Sequence, residues 1–132
     1  MQRLETTFPK DHRDSVMQAV LRVRARCRMT ASDVYYSDPS TVHTVQYRGT
    51  TYQQPWQIRT RLEILVADRD AEAVRDALAR SLELELGVET VIASSSVDDA
   101  LHLPSGRRGE NALERGLSGV FTRLARAISS KS

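Results

Sequence analysis

The chain has 132 residues, of which 40% are hydrophobic and 27% are charged, as is usual for a globular domain. Its 19 basic and 17 acidic residues give a net charge of +2, too balanced to indicate a nucleic-acid-binding protein from charge alone. The single cysteine excludes an internal disulfide, and no apolar run approaches the roughly 18 residues of a membrane helix. The first residues also lack a signal-peptide core, so we expect one cytoplasmic domain without membrane insertion.

The first part of the chain predicts a strand, a helix and a second strand. Residues 3–9 are expected to form a weak strand. Apolar residues then recur at helical spacing, and they predict a single helix that includes Val16, Val20, Val23 and Cys27. Either Asp11 or Asp14 is expected to begin this helix, and arginines on its other faces, including Arg26, are interpreted as a solvated surface. Alternation over residues 29–36 predicts the second strand.

The middle of the chain predicts a long loop followed by a strand and a helix. Residues 37–54 are polar and irregular, and a loop of this length in a compact domain is usually functional or disordered. Alternating residues then place Leu62, Ile64 and Val66 on one face of a half-buried strand. At Asp70, a reasonable N-cap, the period becomes helical, and the second helix is expected to end near Gly87.

The remaining elements complete the predicted fold. Residues 91–93 are expected to form a fourth strand, and Ser96 to cap a short helical turn over residues 97–103. Apolar residues at helical spacing then predict a C-terminal helix from Glu110 to Ile128. The order is βαββαβ with additions at the end, which is the α+β, ferredoxin-like plan. Because this plan hosts many functions, it does not choose one.

Four segments give the chain a specific resemblance: RMTASDV, YRGTTY, RTRLEILVAD and PSGRRGENAL. At these spacings the chain resembles the PII signalling superfamily and its PII-like relatives. The resemblance implies a homotrimer that holds adenine nucleotides in clefts between subunits. It also implies a T-loop, at about residues 37–55, that contacts a target protein. Residues 1–113 would form the PII-like domain and residues 114–132 a C-terminal helical extension.

The resemblance also assigns residues to the nucleotide. Met29 and Thr30 fall where the family touches adenine, and Glu63 and Leu65 where a strand contacts the ribose and the adenine edge. These positions suit the chemistry of the ligand. Adenine needs a backbone donor and acceptor beside an apolar slot, and a carboxylate can accept the ribose hydroxyls.

Departures from the family concern the phosphates. The glycine-rich loop with its lysine falls at residues 88–91, which read Val-Glu-Thr-Val here, and the two usual arginines fall at His102 and Pro104. Two features of the family are therefore absent from their usual positions: the backbone amides that approach phosphate, and three cationic side chains. Arg107 and Arg108 are the expected substitutes. With fewer cations for the outer phosphates, we expect ADP or AMP to be preferred over Mg-ATP.

The second effector is also expected to differ. Ser40 replaces the T-loop glutamine that helps to hold metal and 2-oxoglutarate, and Arg59 replaces the lysine at the base of the loop. PII-like branches with such losses are tied to inorganic carbon, and the chain resembles the carboxysome-associated, bicarbonate-responsive branch. Bicarbonate is then expected near Arg59, Ser40 and Arg107. The implied target is a transporter or enzyme of inorganic-carbon metabolism, with association to a carboxysome or membrane transporter.

Other classes of function have less support. The histidines His12, His43 and His102 show no ligand spacing, so no metal site is expected. No nucleophile elbow supports catalysis, and we expect neither catalytic residues nor a cofactor beyond exchangeable ligands. An RNA-recognition module would need aromatic residues on its sheet, and only 5% of residues are aromatic. The alternative that stays open is a PII-like trimer used for protein interaction or metal tolerance without nucleotide sensing.

Overall fold

The structure is a computed structural model that describes residues 1–38, 43–54, 56–83 and 89–114. Within these ranges there are two short 3-10 helices, Lys10–His12 and Gly109–Leu113. The strands and α-helices follow in the order β1 Gln2–Pro9, α1 Arg13–Leu21, β2 Cys27–Tyr36, β3 His43–Tyr47, β4 Thr50–Gln54, β5 Gln57–Val66, α2 Asp68–Glu83 and β6 Ala93–Ser96.

Four strands form the main sheet in the order β2-β5-β1-β6, and each neighbouring pair is antiparallel. Strand β5 therefore lies between β2 and β1, while β2 and β6 lie at the two edges. Helices α1 and α2 contact each other and pack on the same face of this sheet. The predicted α+β, ferredoxin-like arrangement is confirmed, with an additional hairpin of β3 and β4 between β2 and β5.

The core lies between the sheet and the two helices, because the alternating strands and the helical stripes meet there. Phe8 of β1 and Ile64 of β5 are fully buried on the covered face. The remaining core residues come from β1, α1, β5 and α2: Leu4, Val16, Val20, Leu62, Val66, Ala71, Val74, Leu78 and Leu82. Residues of opposite parity on β1 and β5 lie on the uncovered face, where they are available to a ligand or a partner.

Helix α1 is shorter than its sequence predicts. It ends at Leu21, and Arg24 adopts a left-handed backbone conformation with φ 57° that no helix can continue. The backbone N–H of Arg26 donates to a carboxylate oxygen of Asp70 at 3.2 Å, which fixes the chain leading into β2. The prediction that Cys27 belongs to this helix is therefore wrong, since Cys27 begins β2. Arg26 likewise lies outside the helix face to which it was assigned.

The predicted irregular loop contains a β-hairpin. Strands β3 and β4 pair with Tyr47 opposite Thr50, which leaves a two-residue turn. Arg48 and Gly49 in that turn have φ values of 52° and 74°, as a type I′ turn requires. The prediction of an irregular segment is wrong for residues 43–54, while residues 39–42 lie outside the described part of the chain.

Helix α2 begins at Asp68, two residues before the predicted cap, and the carboxylate of Asp70 accepts the N–H of Arg26 instead of capping the helix. The predicted end at Gly87 lies outside the described residues. The fourth strand, β6, covers residues 93–96 rather than 91–93, and Val91 before it is 76% exposed. The short pairing with β1 therefore begins only at Ala93.

The segment after β6 differs most from its prediction. No helical turn forms over residues 97–103; instead a loop is closed by a bridge between Leu101 and Arg108. The predicted helix from Glu110 begins as a 3-10 helix that ends at Leu113, and Glu114 has an extended ψ of 145°. Residues 115–132 lie outside the described part, so the rest of that helix stays a prediction.

Candidate functional site

The uncovered face of the sheet carries three of the four residues that the resemblance assigns to adenine and ribose. Thr30 of edge strand β2 pairs with Glu63 of β5, and Leu65 lies two residues further along the same face. Met29 pairs with Ile64, and its side chain packs against the core. Because successive residues of a strand point to opposite faces, a ligand on the open face would meet the side chain of Thr30 and only the backbone of Met29.

Four charged side chains form a series of ion pairs on this open face. Arg61 places Nε 3.0 Å from Oε1 of Glu5 and donates from Nη2 to Oε2 at 3.1 Å. Its Nη2 also lies 3.3 Å from Oε2 of Glu63, whose Oε1 lies 3.1 Å from Nε of Arg3. The hydrogen bond with Glu5, and then the charge of Glu5, raises the pKa of Arg61 above its ordinary value. Because two cations already contact Glu63, a ribose hydroxyl would have to share it or displace one.

Arg107 is one of three arginines around Glu114. We name Arg26, Arg28, Arg107 and Glu114 together the Glu114 cluster. Nη1 of Arg107 lies 2.8 Å from Oε2 of Glu114, and Nη2 of Arg26 lies 3.3 Å from Oε1. Arg28 donates from Nη2 to the backbone carbonyl of Glu114 at 2.9 Å. Sequence reasoning missed Arg26 and Arg28 because Arg28 and Glu114 are 86 positions apart, and no local spacing reports such a contact.

Arg108 belongs to a different set of contacts. The carboxylate of Asp99 accepts the backbone N–H groups of Ala100 at 2.9 Å and Gly109 at 3.1 Å, and its second oxygen lies 3.0 Å from Arg108. The bond from Ala100, then that from Gly109, and the charge of Arg108 together lower the pKa of Asp99. Arg108 is 71% exposed. The structure therefore brings Arg107, but not Arg108, into the Glu114 cluster.

Arg59, the candidate bicarbonate ligand, is 7% exposed and already makes several contacts. Its Nη1 donates to the backbone carbonyls of Glu89 at 3.2 Å and Thr7 at 3.5 Å, and its Nε donates to the amide oxygen of Gln57 at 3.2 Å. A bicarbonate ion that uses Nε or Nη1 of Arg59 would have to share it with one of these acceptors. Ser40, the other T-loop candidate, lies outside the described residues.

The segment at the family position of the phosphate loop is tied to the sheet. The hydroxyl of Thr90 bonds to the backbone carbonyl of Thr7 and lies 3.0 Å from the hydroxyl of Thr6. Together with the contact from Arg59 to Glu89, these bonds hold residues 89–90 against β1. This segment offers side-chain anchors to its own sheet rather than the glycine-rich backbone and lysine of the family loop.

No group of three or more histidine, cysteine, aspartate or glutamate side chains is placed to hold a metal ion among the residues that the structure describes. In the same ranges, no helix combines the length and apolar composition needed to cross a membrane.

Comparisons with known proteins give results at the level of sequence and of fold. No family model matches the chain. The nitrogen regulatory protein P-II of Rhizobium leguminosarum bv. viciae is 28% identical over 71 residues, which are 54% of this chain and 64% of that protein. The nitrogen regulatory protein P-II of Rhizobium meliloti is 24% identical over 113 residues, which are 86% of this chain and 100% of that protein.

Among solved structures, GlnK of B. subtilis has the same fold, with a TM-score of 0.65 and 14% sequence identity. The similarity covers 84% of this chain and 96% of that one. The chain is therefore similar in sequence to nitrogen regulatory proteins P-II and similar in fold to GlnK.

Proposed function

We propose that this chain is a non-enzymatic regulatory protein that forms a homotrimer and binds AMP or ADP in the clefts between subunits. Nucleotide, with bicarbonate as a second effector, would set the arrangement of the T-loop that carries the β3–β4 hairpin. The T-loop would in turn contact a transporter or enzyme of inorganic-carbon metabolism. Sequence similarity to nitrogen regulatory proteins P-II and the fold shared with GlnK support the regulatory role, and the nucleotide, effector and target are our proposal.

The observation that carries the proposal is the pairing of Thr30 with Glu63 beside an unpaired strand edge. Strand β2 is hydrogen-bonded only to β5 within the described sheet, so its outer edge presents backbone N–H and C=O groups. Adenine requires one donor and one acceptor of this kind. The carboxylate of Glu63 and the apolar side chain of Leu65 lie on the adjoining open face, where they would meet the ribose and the edge of the base.

The proposed preference for AMP and ADP follows from the charges around the phosphates. Residues 89–90 are held to the sheet by Arg59 and by the hydroxyl of Thr90. They contribute no lysine, and Val91 contributes an exposed apolar side chain instead. Arg107 and Arg108 are the cations that the resemblance offers to the phosphates, and each additional phosphate of ATP adds negative charge for which residues 89–91 supply no partner.

The T-loop would respond by linkage. A ligand that binds one loop arrangement more tightly shifts the population toward it by the ratio of the two affinities. Coupling between two ligands is reciprocal, so bicarbonate must strengthen nucleotide binding by the same factor by which nucleotide strengthens bicarbonate binding. Arg59 is the proposed point of coupling, because it contacts β1, Gln57 at the start of β5 and residue 89.

Titration calorimetry with AMP, ADP and ATP, with and without bicarbonate, tests this function, and light scattering on the same sample gives the oligomeric state. We expect a trimer that binds AMP and ADP more tightly than ATP. Glu63→Gln should weaken AMP by about tenfold, the size expected for one lost charge-assisted hydrogen bond. Glu72→Gln, on the exposed side of α2, is the matched control and should bind as the wild type does. A monomer, or no heat with any adenine nucleotide, would reject the proposal.

A further inference from the structure

The Glu114 cluster has more positive than negative charge. Arg26 and Arg107 contact the two carboxylate oxygens of Glu114, and Arg28 binds its backbone carbonyl. Three guanidinium groups therefore surround Glu114, two of them at its carboxylate and one at its backbone carbonyl. Asp70 makes no ion pair with the three arginines of the cluster: its carboxylate accepts the backbone N–H of Arg26 and lies 3.9 Å from Nε of Arg69, which is outside the cluster.

The cluster also contains an unused donor. Nη2 of Arg107 is buried and has no hydrogen-bond partner within the described residues. The rest of this guanidinium is held in place, since Nη1 meets Glu114 and Nε donates to the hydroxyl of Ser105 at 3.1 Å. The Arg107 guanidinium group is therefore held in one orientation and keeps one unsatisfied N–H. Such a group can bind an oxyanion that has more oxygens than a carboxylate has.

We propose that Arg26, Arg28 and Arg107 form a binding site for a phosphoryl group, and that Glu114 occupies this site when the ligand is absent. A phosphoryl dianion supplies the second negative charge and the third oxygen that Glu114 lacks. Binding would displace the Glu114 side chain. The site shares Arg107 with the proposed nucleotide site but needs neither a second subunit nor a base.

The position of Glu114 makes this exchange feasible. Its side chain is 38% exposed, and partly exposed ion pairs contribute little net stability because solvent screens them. The residue follows the last turn of a 3-10 helix in an extended conformation, and its backbone N–H makes only a 3.4 Å contact with the carbonyl of Asn111. The buried Ala112 and Leu113 stay packed, so release of Glu114 need not disturb the core.

Binding of inorganic phosphate to the full chain tests the site, with chloride at equal ionic strength as the reference. Glu114→Gln removes the competing charge and keeps the shape of the side chain. It should tighten phosphate binding at least tenfold. Glu110→Gln is the matched control, because Glu110 lies on the 3-10 helix just before Glu114 and accepts the backbone N–H of Asp68, and phosphate affinity should not change. Unchanged or weaker phosphate binding in Glu114→Gln would identify the cluster as a purely structural ion-pair set.

A second measurement uses the wild-type chain and therefore stands even where the variant fails to fold. Saturating phosphate should speed amide hydrogen exchange in the peptide that contains residues 107–114, and Arg28→Gln should abolish this response. Unaltered exchange at saturation would overturn the proposal. Parallel titrations with AMP separate the two sources of a phosphoryl group. AMP binding without any phosphate binding at the cluster would reject this inference alone, whereas phosphate binding without AMP binding would reject only the nucleotide function.

Discussion

The guanidinium of Arg59 stacks on the ring of Tyr36, with Cζ 4.2 Å from the ring centroid. This contact joins β5 to β2, and the hydrogen bond from Arg59 to the carbonyl of Glu89 joins β5 to the segment before β6. The resemblance implies a lysine at this position in the family. An arginine can stack and donate several bonds at once, whereas an ammonium group is a compact point charge that cannot reproduce both.

Arg59→Lys should therefore destabilise the fold although it keeps the charge. The change removes the stacking on Tyr36 and at least one hydrogen bond of a nearly buried group, so we expect a loss of about 1–3 kcal/mol. Chemical denaturation of the two proteins measures it. Arg69→Lys, at an exposed position on α2, should change stability by less than about 0.5 kcal/mol. Equal stability of Arg59→Lys and wild type would mean that the stacking has no energetic role.

The stability of the loop around Asp99 should depend on pH. Because backbone N–H groups and Arg108 lower the folded-state pKa of Asp99 below 3.8, its stabilising effect is complete above that pH and is lost as pH falls through the folded pKa. Asp99→Asn should therefore lower the melting temperature near neutral pH, and the difference from wild type should shrink as the pH falls below 3.8. Melting curves from pH 7 to pH 2.5 measure both effects. Asp98→Asn, at the exposed neighbouring position, should change the melting temperature near neutral pH by less than Asp99→Asn does, and a pH-independent difference for Asp99→Asn would contradict the assignment.

The parts of the fold that the sequence predicts well are those in which local spacing and burial agree. Leu62, Ile64 and Val66 alternate and lie in the core, and the stripe from Ala71 to Leu82 faces the same core. Hydrophobic periodicity is sufficient there because one face of each element is covered.

Long-range contacts decide the parts that the sequence does not predict. The apolar spacing through Cys27 continues beyond the real end of α1, because nothing in that spacing registers the left-handed backbone of Arg24 or the bond between Arg26 and Asp70. The hairpin was missed because its turn has Arg48 rather than asparagine before Gly49, so the usual turn signal is weak. The Glu114 cluster was also not predicted, because Arg28 and Glu114 are 86 positions apart and no local spacing indicates that they are in contact.

The turn of the hairpin offers a test of backbone strain. Gly49 has φ 74° and nothing within 4 Å of an added Cβ, so Gly49→Ala would be penalised by backbone conformation rather than by a clash. We expect a cost of about 1–2 kcal/mol to the hairpin. Arg48→Asn should act in the opposite direction, because asparagine tolerates this backbone region better than arginine. Hydrogen exchange of residues 43–54 measures local opening, which should become faster in the alanine variant and slower in the asparagine variant. Identical exchange in both would mean that the turn does not control the hairpin.

Thr60 presents a buried polar group that the fold would be more stable without. The residue is fully buried on the helix-covered face of β5, between Phe8 of β1 and Asp33 of β2, and its hydroxyl has no hydrogen-bond partner in the described part of the chain. Thr60→Val replaces this hydroxyl with a methyl group of similar size and should stabilise the protein by about 1–2 kcal/mol. Thr6→Val is the matched control, because the Thr6 hydroxyl is bonded to Thr90 and its loss should destabilise the protein. Denaturant titration measures both signs, and destabilisation by Thr60→Val would show that its hydroxyl has a partner in solution.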